Sequence, residues 1–139
     1  MKKVSQKFKI AVVFSEFNKK IGEKLLNKTL EELKKTAKTK IFKVPGALEI
    51  PVVCKKIIVQ KKYDAVIALG VVIKGETAHF EHVSNESIRG IQRLSLDHTF
   101  PIITGIITAY TEKQADERTK NGTYYAKSAI QLINTLKNI

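Results

Sequence analysis

Four short apolar runs, each followed by a stretch of different period, constrain the fold of this chain most. They are Phe8–Phe14, Thr39–Val44, Asp64–Gly70 and Pro101–Ile107. Runs this short, rich in β-branched residues, suit strands covered on both faces. The intervening stretches switch to helical spacing. Ile21, Leu25, Leu30, Leu33 and Ala37 recur at steps of three to five, forming one apolar stripe on a helix of about five turns, with Asn18 as its N-cap. Val44-Pro45-Gly46 breaks the second strand. Pro51 then suits the first turn of a helix whose stripe is Ile50, Val53, Cys54, Ile57 and Ile58. Thr77 can cap a third helix carrying Phe80, Val83, Ile88, Ile91 and Leu94. Thr111-Glu112-Lys113-Gln114 reads as a capping box opening a short helix. Tyr125, Ala129, Leu132, Ile133 and Leu136 make the last amphipathic helix. Strand and helix thus alternate four times. The pattern predicts an α/β fold, a three-layer α/β/α sandwich around a four-stranded parallel sheet.

A length of 139 residues suits one domain, 1–139, with residues 1–7 as a short N-terminal arm. No apolar run approaches the roughly 20 residues of a membrane span, and Met1–Lys9 lacks the apolar stretch of a signal peptide. A lone cysteine, Cys54, excludes an internal disulfide and suits a reduced, cytoplasmic setting. The net charge of +12 invites a nucleic-acid reading, but the basic residues argue against it. Arginine appears only at Arg89, Arg93 and Arg118, and no basic block is longer than a pair. Nucleic-acid surfaces concentrate charge and use the arginine fork. A lysine-rich solvated surface is the expectation, with no nucleic-acid partner and no membrane.

In open parallel sheets ligands bind beyond the carboxyl ends of the strands, so the loops after the four strands are the ones to inspect. The first carries Phe17 and Asn18, an aromatic face beside an amide, although a plain helix entry would use the same pair. The second, Pro45-Gly46-Ala47-Leu48-Glu49-Ile50-Pro51, fixes Glu49 at a strand-to-helix corner. The third, Val71–His79, feeds straight into a helix. Gly75 lets its backbone approach a ligand, and the free N–H groups of Gly75, Glu76 and Thr77 favour an anion. The Gly-Lys-Ser/Thr ending of a Walker loop is missing. His79 falls in the first helical turn, where the positive end of the helix favours a neutral imidazole able to accept a proton. His79, His82 and Glu86 share one helical face, yet a metal triad confined to one helix is uncommon. Arg118, in a chain that otherwise uses lysine, suggests a need for bidentate geometry such as phosphate demands.

Together these blocks resemble the lumazine synthase family. The most specific is Leu69-Gly70-Val71-Val72-Ile73-Lys74-Gly75-Glu76-Thr77-Ala78-His79-Phe80-Glu81, with Gly90-Ile91 beyond it. Phe17-Asn18, Val44–Pro51 and Pro101–Arg118 match in order. The resemblance implies a flavodoxin-like topology and a condensation in riboflavin biosynthesis. In it, 5-amino-6-(D-ribitylamino)uracil and 3,4-dihydroxy-2-butanone 4-phosphate give 6,7-dimethyl-8-ribityllumazine, phosphate and water, with no cofactor and no metal. It implies that Phe17, Asn18, Ala47, Leu48, Glu49, Val71, Val72 and Ile73 contact the pyrimidine and ribityl chain. Gly75, Glu76, Thr77 and Arg118 would hold phosphate, and His79 would move protons. It also implies a pentamer or a multiple of pentamers, with sites shared between subunits and Thr104 at the shared wall. The sequence departs from the family pattern at Leu48 and Thr104, where large aromatics are usual. Lys74 stands for the commoner arginine, and the segment Thr119-Lys120-Asn121-Gly122 is shortened.

Overall fold

The computed structural model describes residues 7–139; the proposed arm falls almost wholly on residues 1–6, outside the described residues. Four strands form one sheet: β1 Phe8–Ser15, β2 Ala37–Val44, β3 Ala65–Ile73 and β4 Ile102–Ala109. Their order is β2-β1-β3-β4, and every pairing is parallel. The helices are α1 Lys19–Leu33, α2 Ile50–Gln60, α3 His79–His98, α4 Glu112–Glu117 and α5 Gly122–Lys137. Helix α1 links β1 to β2, α2 links β2 to β3, and α3 links β3 to β4.

Strand period explains the layering. On β1, Ile10, Val12 and Phe14 pack with Leu25, Leu33, Ala126, Ala129 and Ile133 of α1 and α5. The alternate residues Ala11 and Val13 pack with Ile50, Cys54, Ile57 and Ile91 of α2 and α3. The continuous apolar run of Ile10–Phe14 therefore serves two cores at once, as a strand buried on both faces must. The expected sandwich with flavodoxin-like strand order is the observed one.

Several boundaries differ, each for a physical reason. The first helix ends at Leu33, and Ala37, expected on its stripe, instead opens β2 opposite Phe8. Alanine fits either period, and the sheet offers it a ladder partner. Strand β2 is not a doubly buried strand: Lys38, Thr39, Lys40, Ile41 and Lys43 are exposed. It is an edge strand, and its lysines oppose pairing with another sheet. Strand β3 does not stop at Gly70 but runs on to Ile73, because Val71, Val72 and Ile73 pair with Ile107, Thr108 and Ala109. Thr77 lies one residue ahead of the N-cap position, which Ala78 occupies; its hydroxyl accepts the N–H of His79 at 3.3 Å. The capping box is present: Thr111 Oγ1 accepts the N–H of Gln114 at 3.1 Å. Gln114 Oε1 reaches back to the N–H of Tyr110, one residue before the cap, at 2.9 Å.

Cys54 is fully buried on the sheet-facing side of α2, and loss of hydration pushes its thiol up from 9.0 to about 12. The folded state thus holds this proton more tightly than the unfolded chain. The stability it confers is complete below pH 9 and is lost as pH rises toward 12. Urea unfolding of the wild type and Cys54→Ala should therefore show the wild type losing roughly 2 kcal/mol relative to the variant between about pH 8 and 10.5. A pH-independent gap would contradict this.

Candidate functional site

The strand order reverses between β1 and β3: the chain leaves β1 toward one edge and returns through β2 to lay down β3 on the other side. Loops at that reversal diverge above the sheet and leave a crevice at the carboxyl ends. A cleft of about 440 Å³ lies there. Phe17 comes from the loop after β1, and Gly46, Ala47, Leu48 and Glu49 from the turn after β2. Val71, Val72 and Ile73 come from the end of β3, Gly75 and Thr77 from the following loop, and His79, Phe80 and Val83 from α3.

Each wall has a local cause. Ala47–Glu49 form a short 3-10 turn after the extended Gly46, and Pro51 continues it into α2. A Cβ on Gly46 would stand 3.5 Å from Glu49 Oε2, so the carboxylate folds back over its own turn. Helices α2 and α3 cross closely beside the cleft: a Cβ on Gly90 would come within 3.0 Å of Pro51 Cγ. Gly75 is different, because a Cβ there would meet nothing within 4 Å and its φ is not positive. Open space beside its backbone leaves room for a ligand atom to approach.

The cleft is mainly apolar, with Glu49, Thr77 and His79 as its polar side chains. That composition suits a flat, weakly charged molecule oriented by a few polar contacts. Phe17 is 68% exposed and Leu48 49% exposed. Large apolar groups held in solvent at a concave site are available to a ligand rather than committed to the core.

Other expected residues lie outside this wall. Asn18 stands at the N-cap position of α1, but in the left-handed region at φ 57 and without a side-chain cap bond. Its Nδ2 instead donates to the Val71 carbonyl at 2.9 Å. Glu76 is exposed on the loop. Arg118 follows α4, is exposed, and donates from Nη1 to the Gln114 carbonyl at 3.5 Å. Thr104 pairs with Ala68 in the sheet; its Oγ1 is buried and makes no hydrogen bond among the described residues. Among those residues no group of three or more His, Cys, Asp or Glu side chains converges as metal ligands would, so His79, His82 and Glu86 do not gather into such a set. No helix is long and apolar enough to cross a membrane, again among the described residues.

Sequence reasoning missed Gly46, Phe80 and Val83 as parts of the wall. Phe80 and Val83 sit on the same stripe as Ile91, and spacing cannot separate a residue facing the core from one two or three turns earlier facing a cleft. It also missed Tyr110. That ring packs against Phe80 with centroids 6.2 Å apart, and Lys74 Nζ lies 5.3 Å from its centre. The contact holds a cation beside the Gly75–Thr77 loop.

The sequence pattern of a family described as 6,7-dimethyl-8-ribityllumazine synthase matches residues 7–137. A protein of that name from Coxiella burnetii is 39% identical over 95% of this chain and 93% of its own length. Another from Thermococcus kodakarensis is 40% identical over 94% of this chain and 88% of its own.

Exposure separates the site from the fold. Phe17→Ala should change the free energy of unfolding by no more than about 0.5 kcal/mol, the usual range for surface positions, as read by urea denaturation. A loss above about 2 kcal/mol would mean that the ring belongs to the core.

Proposed function

This chain belongs to the 6,7-dimethyl-8-ribityllumazine synthase family, enzymes of riboflavin biosynthesis, and from that premise we propose how its cleft performs the condensation. The substrates are 5-amino-6-(D-ribitylamino)uracil and 3,4-dihydroxy-2-butanone 4-phosphate. The products are the lumazine, phosphate and two molecules of water. The observation that carries the assignment of residues is one cleft uniting an exposed aromatic, an apolar strand end, an open-backbone loop at a helix start and a histidine.

Phe17 stacks on the pyrimidine, and Ala47, Leu48, Glu49, Val71, Val72 and Ile73 surround the ring and ribityl chain. Gly75, Glu76 and Thr77 offer backbone N–H groups to the phosphate ahead of α3, a helix long enough to present a positive end. The 5-amino group of the uracil attacks the ketone and water leaves to give an imine, which then eliminates phosphate and tautomerises to expose a carbonyl at the neighbouring carbon. The ribitylamino nitrogen then attacks that carbonyl, and the ring closes as a second water leaves. Every step moves a proton, and none requires a nucleophile from the protein. His79, at the start of α3 beside the anion loop, is placed to take and return those protons. Holding both substrates together removes the entropic cost of their encounter. Phosphate leaves into a site already shaped for an anion.

Thr104 and Arg118 stand apart from the wall that this chain supplies. We assign them to the cleft of a neighbouring copy, in a pentamer or a multiple of pentamers, where Arg118 would complete phosphate binding. The cytoplasm is the proposed setting, consistent with a buried free thiol.

Mixing the protein with both substrates should generate lumazine fluorescence above the spontaneous rate; no excess would sink the proposal. His79→Ala should lower kcat toward the lower end of the about 10²–10⁴-fold typical of one acid–base group, with little change in KM. An unaltered kcat would count against the proton role. Arg118→Ala should raise KM for the phosphorylated substrate about 10- to 100-fold, the value of one or two charge-assisted hydrogen bonds. A monomer mass in light scattering would remove the shared site.

A further inference from the structure

Among the described residues, three other than glycine have positive φ: Asn18, Lys61 and Thr99. Lys61 and Thr99 end α2 and α3, where left-handed residues are common. Asn18 begins a helix, where the backbone is normally extended. It therefore forgoes the usual cap geometry, and its side chain is engaged elsewhere.

The sheet shows what it does instead. The β1–β3 ladder ends at Phe14 and Leu69, while β3 continues to Ile73. The Val71 carbonyl thus lies beyond the last residue of β1 that pairs with β3. Asn18 Nδ2 reaches it at 2.9 Å, across 53 residues of sequence, and supplies the N–H that a longer β1 would have given. Both neighbours of this bond line the cleft: Phe17, adjoining Asn18, and Val71 itself. Phe17 is 68% exposed, so packing does little to fix its ring. Its backbone is tied instead by its neighbours, with Glu16 N–H donating to the Val44 carbonyl at 2.9 Å and Gly22 N–H to the Asn18 carbonyl at 3.0 Å.

We propose that Asn18 is a positioning residue: its amide clamps the loop after β1 to the end of β3 and so sets the gap between Phe17 and Val71 into which a planar heteroaromatic ring slides. Its donor is engaged by the Val71 carbonyl, and it acts on the ring through Phe17. The inference rests on the reading of the cleft as the synthase site.

The test uses the affinity for 6,7-dimethyl-8-ribityllumazine, followed by its fluorescence, in a double-mutant cycle. Asn18→Gly keeps the left-handed backbone without strain and removes only the amide. Asn18→Asp keeps the shape and the tolerance for that backbone but, ionised, has no proton to donate. Each should weaken binding roughly 10-fold, about the value of one hydrogen bond. In a Phe17→Ala background the Asn18→Gly factor should shrink to within about twofold, because the ring being positioned is gone. Wild-type affinity in Asn18→Gly would overturn the clamp. So would a factor that persists undiminished without Phe17, since that is the signature of direct contact. Binding without turnover by the wild type would overturn the reaction but not the clamp. Failure of the wild type to bind the lumazine at all would overturn both.

Discussion

The central parallel pairing of β1 with β3, Ile10–Phe14 against Ala65–Leu69, underlies the rest of this protein. Both strands are buried on both faces, so each must offer apolar residues at every position and leave its polar chemistry to the ends. It is also where the strand order reverses. Helix α1 departs to one face and α2 and α3 to the other, and their separation opens the cleft. The requirement that empties the middle of the sheet of functional groups concentrates them at one edge.

The edges of the sheet are handled differently. Strand β2 carries lysines outward along its exposed positions, which suits a strand facing water. On the other side, β4 holds Thr104 with a buried hydroxyl that makes no hydrogen bond among the described residues. The basic surface that dominates the composition is spread over helices and the β2 edge, not gathered at the cleft, whose wall is mostly apolar. Its charge near the anion loop comes from Lys74, held over Tyr110.

Much of this was legible in the sequence. The doubly buried strands appear as unbroken apolar runs, and the helices as stripes, because burial on two faces and on one face leave different periods. Pro51 and the Thr111–Gln114 box marked helix starts, since their backbone chemistry is local. The order of blocks around Phe17, Glu49 and His79 pointed to one family, and the residue pattern of that family spans the chain. What could not be read depended on partners distant in sequence. Ala37 went to a strand because Phe8 offered it a ladder, and Gly70 failed to end β3 because β4 continued beside it.

Sequence by itself determined the layer architecture, the strand-end location of the site and the residue types gathered there. The first two follow from hydrophobic period and short-range backbone preference, and the third from the resemblance carried by the ordered blocks. Tertiary structure alone decided which side chains meet. It turned Asn18 from a helix cap into a bridge to Val71, drew Phe80 and Val83 from an ordinary apolar stripe into the cleft wall, and left Thr104 and Arg118 outside it. The physical reason is that a hydrogen bond or a wall depends on distance in space. The 53 residues between Asn18 and Val71 carry no local trace of the 2.9 Å that finally separates them.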